Sequence, residues 1–107
     1  MKLITAIFIF ALTLNADIEN GKDVYAQNCG NCHRVDMKGG MGKDFNLVSY
    51  TRKREDIVKY VSNPAQMFEQ FGYDANAMPK IPLTKQEIKD VSEYIDSLQK
   101  FKKWMVK

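Results

Sequence analysis

From Ile18 onward, apolar residues return at helical spacing in three stretches, and two other stretches break that spacing. Ile18, Gly21, Val24 and Tyr25 share one face of a helix predicted over Ile18–Asn28. A second helix fits residues 52–62, with Ile57, Val58 and Val61 on one side. It stops at Asn63, because Pro64 disfavours helix in the residue before it, and Pro64 then opens a short turn through Phe68. The third helix carries the clearest start signal. Thr84 and Glu87 make a Thr-x-x-Glu capping box directly before Ile88, Val91, Tyr94, Ile95 and Leu98. Residues 37–47, punctuated by Gly39, Gly40 and Gly42, read as a loop, and so do residues 72–82, with Gly72, Asn76, Pro79 and Pro82. No stretch sustains strand-type alternation, so the predicted class is all-α.

Two details modify this picture. Gly21 inside a helix costs up to about 1 kcal/mol relative to alanine, which points to close packing against another backbone. After the third helix, Phe101, Trp104 and Met105 recur at helical spacing among Lys100, Lys102, Lys103 and Lys107. The expectation is that the helix continues and packs these apolar groups on the domain. The alternative is a basic amphipathic contact with a membrane surface or an acidic partner.

The N-terminus has a different pattern. Met1 and Lys2 precede an apolar run over residues 3–14, and charge begins at Asp17. This reads as a signal peptide over residues 1–16, followed by one domain over residues 17–107. The run is shorter than the roughly 17 to 25 residues of a membrane-spanning helix. Leu14 stands where a small residue is usual before a cleavage site, so an uncleaved N-terminal anchor facing the periplasm is the alternative. Either way the domain is expected in the periplasm.

Composition bounds the rest. The chain of 107 residues is 45% hydrophobic and 27% charged, enough for one small domain. Its net charge of +3 falls to +2 without residues 1–16, too little to argue for nucleic acid. A domain of this size has a marginal apolar core, so a cofactor would stabilise it considerably.

The candidate chemistry lies in Cys29-Gly30-Asn31-Cys32-His33, which holds the chain's two cysteines and its one histidine. Thiol exchange needs such a motif at a helix start after a strand, whereas here it follows a helix. A structural zinc site needs four ligands, and the chain has no further cysteine or histidine. A disulfide leaves His33 unexplained and closes too short a loop to add much stability. Covalent haem attachment uses every residue: two thiols form thioethers, and the adjacent histidine meets the iron. Methionine sulfur is a common second axial ligand. Met37 and Met41 follow His33 too closely to wrap around a haem, Met67 falls in the short helical turn, and Met105 lies near the end. Met78, beside Pro79 in the second loop, is the expected ligand.

The stretches "GKDVYAQNCGNCH" and "AMPKIPLTKQEIKDVSEYIDSL" together resemble the small bacterial class I cytochromes c over nearly the whole domain. The resemblance implies three to five helices around one covalent haem c, with the N- and C-terminal helices crossing where Gly21 meets Tyr94. It implies thioethers at Cys29 and Cys32 and axial ligation by His33 and Met78. Where the family often has Gly-Pro, this chain has Gly42-Lys43, so the Lys43 carbonyl is expected to orient His33. The implied function is a monomeric one-electron carrier, not an enzyme, that docks transiently with a redox donor and acceptor. Membrane contact is expected only through the basic C-terminal tail. Alternatives are a haem subunit of a larger redox complex, or a ligand-binding or peroxidatic haem protein with a weak or absent methionine ligand. Tyr50 and Arg52 are candidates for the neighbourhood of the haem propionates.

Overall fold

The computed structural model describes residues 16–106, so residues 1–15 of the expected signal peptide lie outside it. Helix α1, Ile18–Asn28, starts where Asp17 accepts the Asn20 N–H at 3.1 Å. A hairpin of β1, Arg34–Val35, and β2, Lys38–Gly39, follows. Its turn residues Asp36 and Met37 both have positive φ, the geometry that closes two-residue hairpins. Asp36 is fixed there by Asn46, which accepts its N–H at 2.8 Å and donates to its carboxylate at 3.0 Å.

Helix α2, Phe45–Thr51, corrects the expectation of a loop through Leu47. Asp44 caps it by accepting the Asn46 N–H at 2.8 Å, and it buries Phe45 and Ser49. Helix α3 begins two residues later than expected, over Arg54–Ser62, with Ile57 and Val61 buried. Pro64 opens the short α4, Pro64–Met67. Helix α5, Lys85–Ser97, has the anticipated capping box: Glu87 N–H to Thr84 Oγ1 at 3.1 Å and Thr84 N–H to Glu87 Oε1 at 2.9 Å.

Val24, Cys29, Phe45, Ile57, Val61, Val91 and Ile95 form the core, drawn from α1, α2, α3 and α5. Helices α1 and α5 cross at Gly21. A Cβ there would run into the Asp90 carbonyl and come within 2.8 Å of the Tyr94 Cβ, so the costly glycine permits the crossing.

The tail departs from expectation. Helix α5 ends at Ser97, and only a 3₁₀ turn, Lys103–Met105, follows. Phe101, Trp104, Met105 and Val106 are exposed, while Lys102 is buried. Its Nζ donates to the Ser49 carbonyl at 2.8 Å, to Ser49 Oγ at 2.9 Å and to the Asp96 carbonyl at 2.7 Å. It also pairs with the Asp96 carboxylate at 3.2 Å. A lysine thus satisfies carbonyls near the end of α5, and the apolar side chains around it turn outward.

Candidate haem site

The cysteine motif is built from the unwinding end of α1. Cys29 N–H donates to the Tyr25 carbonyl at 2.8 Å. The Cys32 and His33 N–H groups then both turn back to the Cys29 carbonyl, at 3.1 and 2.9 Å. The two cysteines form no disulfide with each other, Cys29 lying buried in the core and Cys32 exposed. Burial, and secondarily the nearby Cys32, pushes the Cys29 thiol up to about 11, so it is protonated at neutral pH.

The loop behind the motif holds the histidine. His33 Nδ1 lies 2.8 Å from the Lys43 carbonyl, the acceptor expected from the Gly42-Lys43 sequence. A carbonyl can only accept, so Nδ1 is the donor in this contact and Nε2 is the ring nitrogen left to face away from it. Gly42 N–H bonds to the Cys32 carbonyl, and the Tyr25 hydroxyl donates to the His33 carbonyl at 3.2 Å. Burial, followed by the neighbouring Tyr94, Cys29 and Asp44, raises the Tyr25 pKa and keeps that phenol a donor. The His33 ring stacks on Phe45 with centroids 4.4 Å apart.

His33 and Cys32 open onto a cavity of about 490 Å³. That volume falls within the roughly 300–1,000 Å³ of small-molecule and cofactor sites. Phe45, Ile57, Val61 and Ile95 form much of its apolar wall, and Lys43 and Arg52 bring positive charge to it. Met78 lines the same cavity, whereas Met37, Met41, Met67 and Met105 do not. Met37 and Met41 are strongly exposed, at 78% and 98%. Of the two suggested propionate partners, Arg52 reaches the cavity and Tyr50 does not. Two clustered cysteine sulfurs, an imidazole oriented through its Nδ1, a thioether and an apolar chamber fit a covalently held haem.

The sequence reading missed the aromatic wall of this chamber. Tyr60, Phe71 and Tyr73 lie with ring centroids 5.2 to 6.4 Å apart. The Arg52 guanidinium sits 4.5 Å from the Phe71 centroid, and its Nη2 donates to the Phe71 carbonyl at 2.6 Å. Burial, then Tyr73, raises the Tyr60 pKa. The available signal was the pairing of Phe71 and Tyr73 at the mouth of the second loop.

Residues 18–99 match the family model described as Cytochrome c. The chain belongs to the cytochrome c family. It is an electron-transfer protein rather than an enzyme, and its cofactor is one covalently bound haem c. Among curated proteins it is similar to cytochrome c6 of Nostoc sp., at 33% identity over 96 residues, covering 84% of this chain and 81% of the relative. Cytochrome c6 of Parathermosynechococcus lividus is 32% identical over 83 residues, covering 75% and 88%. Cytochrome c6 of Anabaena variabilis is also 32% identical over 83 residues, covering 75% and 90%. No solved structure matches the chain at a significant level. The mostly helical framing and the Gly21–Tyr94 crossing agree with membership of the family.

Proposed function

We propose that this cytochrome is an exported, monomeric one-electron carrier whose iron is held by His33 Nε2 and Met78 Sδ. Cys29 and Cys32 carry the thioethers. The observation that supports the ligand pair best is that Met78 alone of the described methionines lines the cavity onto which His33 opens. When bound, the haem iron supplies a centre that gains or loses one electron. The chain does the rest. Lys43 accepts from the imidazole through its carbonyl, so His33 would be held in one orientation toward the iron. Phe45, Ile57, Val61 and Ile95 exclude water from the chamber. Lys43 and Arg52 place positive charge where anionic propionates would sit. With His33 and Met78 both holding the iron, small ligands would be kept from it.

The N-terminal run of residues 1–16 supports export to the periplasm, with cleavage after Ala16. Among the described residues no helix is long and apolar enough to cross a membrane. Transient partners would meet an exposed haem edge through a small interface. The lysine-rich tail, with Phe101 and Trp104 exposed, is a second contact face, for a partner or a membrane surface.

Met78→Ala tests the ligand assignment. It should abolish the long-wavelength sulfur-to-iron band of the oxidised protein, lower the reduction potential and admit carbon monoxide to the reduced form. Met67→Ala should leave all three unchanged. A wild type without the band, binding carbon monoxide rapidly when reduced, would establish the ligand-binding alternative. Isolation only within a stable redox complex would instead favour a subunit role.

A further inference from the structure

Asp90 sits at the α1–α5 crossing and is 2% exposed. Three neutral donors reach its carboxylate: the Asp17 backbone N–H at 2.8 Å, Asn20 Nδ2 at 2.7 Å and Gln86 Nε2 at 2.9 Å. Burial works to raise its pKa, but those hydrogen bonds outweigh it and hold the carboxyl below its usual value. Asp90 is therefore ionised at neutral pH. Yet among the described residues no Lys, Arg or His side chain lies within ion-pair distance of it. A buried carboxylate without a counter-charge is costly, and such groups are ordinarily paired.

One of the three donors is the main-chain nitrogen that follows Ala16, where the export reading puts the cleavage. We propose that cleavage between Ala16 and Asp17 completes the Asp90 site, by turning that amide into an α-ammonium that pairs with the buried carboxylate. The inference rests on the export reading. Hydrolysis breaks the bond from the Ala16 carbonyl carbon to the Asp17 nitrogen. Water supplies the hydroxyl of the departing Ala16 carboxyl and one proton on nitrogen, and a second proton comes from solvent at neutral pH. The nitrogen is already 2.8 Å from Asp90 Oδ1, so the new charge needs no rearrangement to reach its partner. A neutral hydrogen bond becomes a charge-assisted one, which is roughly twice as strong. Removal of the leader and closure of the helix crossing thus become linked.

The other titratable groups about the pair are few. On α1 they are the Asp17 carboxylate, which faces the Asn20 N–H, and exposed Glu19. On α5 they are Glu87, engaged in the capping box, exposed Lys89 and half-buried Tyr94. None of them pairs with Asp90. An α-amino group ordinarily titrates near ~7.7–8.0, and pairing with Asp90 raises that value. The stabilisation is therefore complete below the ordinary value and lost as pH rises through the raised one. At the acid end it disappears as pH falls through the lowered value of Asp90.

The test compares haem-loaded protein beginning at Asp17 with haem-loaded protein carrying two extra glycines before Asp17, each with and without Asp90→Asn. At pH ~7 the chain beginning at Asp17 should melt on the order of 5 °C higher than the extended chain. That gap should narrow as pH rises to ~10, and should be absent in the Asp90→Asn pair. Equal midpoints at neutral pH would overturn the inference, as would a gap that survives alkaline pH or Asp90→Asn. Mass spectrometry of the exported wild type tests the cleavage reading separately. A terminus other than Asp17 would overturn that reading, while the engineered pair would still decide whether an ammonium there engages Asp90.

Discussion

The two sides of the haem chamber are built by different means. On the histidine side, residues 29–43 are knitted by hydrogen bonds. Cys32 and His33 turn back on Cys29, Gly42 bonds to Cys32, Tyr25 reaches the His33 carbonyl, and Lys43 holds the imidazole. On the methionine side, residues 74–82 have one backbone hydrogen bond among the described residues, from Leu83 N–H to the Ile81 carbonyl at 2.8 Å. That loop is steadied by Pro79 and Pro82 and by the aromatic ends Phe71 and Tyr73. The difference teaches where the chain itself supplies precision. The imidazole is preoriented by the chain, whereas the sulfur is carried by a strap with few bonds of its own.

Breaking the histidine side should have the largest effect. A Cβ on Gly40 would collide with the Asn31 carbonyl and come within 2.6 Å of the Cys32 Cα, both backbone atoms that cannot turn aside. Gly40→Ala should therefore cost on the order of 3 kcal/mol and sharply reduce the yield of haem-loaded protein. Chemical denaturation of the purified holoprotein, with haem staining of the crude extract, measures both. A variant that loads haem normally and unfolds like wild type would show that the loop is as adaptable as its counterpart.

Much of the rigid frame was legible in the sequence, because its signals are local. The α1 periodicity, the Thr84–Glu87 box and the costly Gly21 each pointed to a feature that the structure contains. The Lys43 carbonyl was foreseen as well, since a main-chain acceptor depends on position and not on side-chain type. What escaped was set by distant partners. Helix α2 is only seven residues long and follows three glycines, so its Asp44 cap was hidden among loop signals. The inward turn of Lys102 depends on Ser49, 53 residues away, and no spacing within the tail reveals it. For the same reason the tail's apolar stripe was misread as a packed helix face. Met78 was singled out by proline context, and the structure adds that it alone of the described methionines lines the cavity.

Loosening the methionine side should have an intermediate effect of a different kind. Phe71 is half-buried, meets Tyr60 and Tyr73, and carries the Arg52 guanidinium over its ring. Phe71→Ala removes that seat but leaves the carbonyl that accepts from Arg52. About 2 kcal/mol should be lost, less than for a fully buried ring. The signature should be local: the sulfur-to-iron band should fade on warming well before global unfolding. Coincident loss of the band and of helical circular dichroism would mean that the strap is no looser than the frame.

The smallest effect should come from Lys43→Ala, and its smallness is the informative result. Lys43 joins the two sides: its carbonyl orients His33, while its ammonium lies 5.1 Å from the Tyr73 centroid at the start of the methionine strap. An exposed cation–π contact of this kind contributes roughly 0.5–1 kcal/mol at most. If the carbonyl is positioned by the backbone bonds of residues 29–42, truncating the side chain leaves the imidazole where it is. The reduction potential and the His33 ring resonances should then match wild type, and stability should fall by no more than roughly 1 kcal/mol. A marked shift in potential would carry the opposite meaning. It would show that the acceptor is held in place through Tyr73, so that the histidine's orientation depends on the strap and the two sides act as one unit.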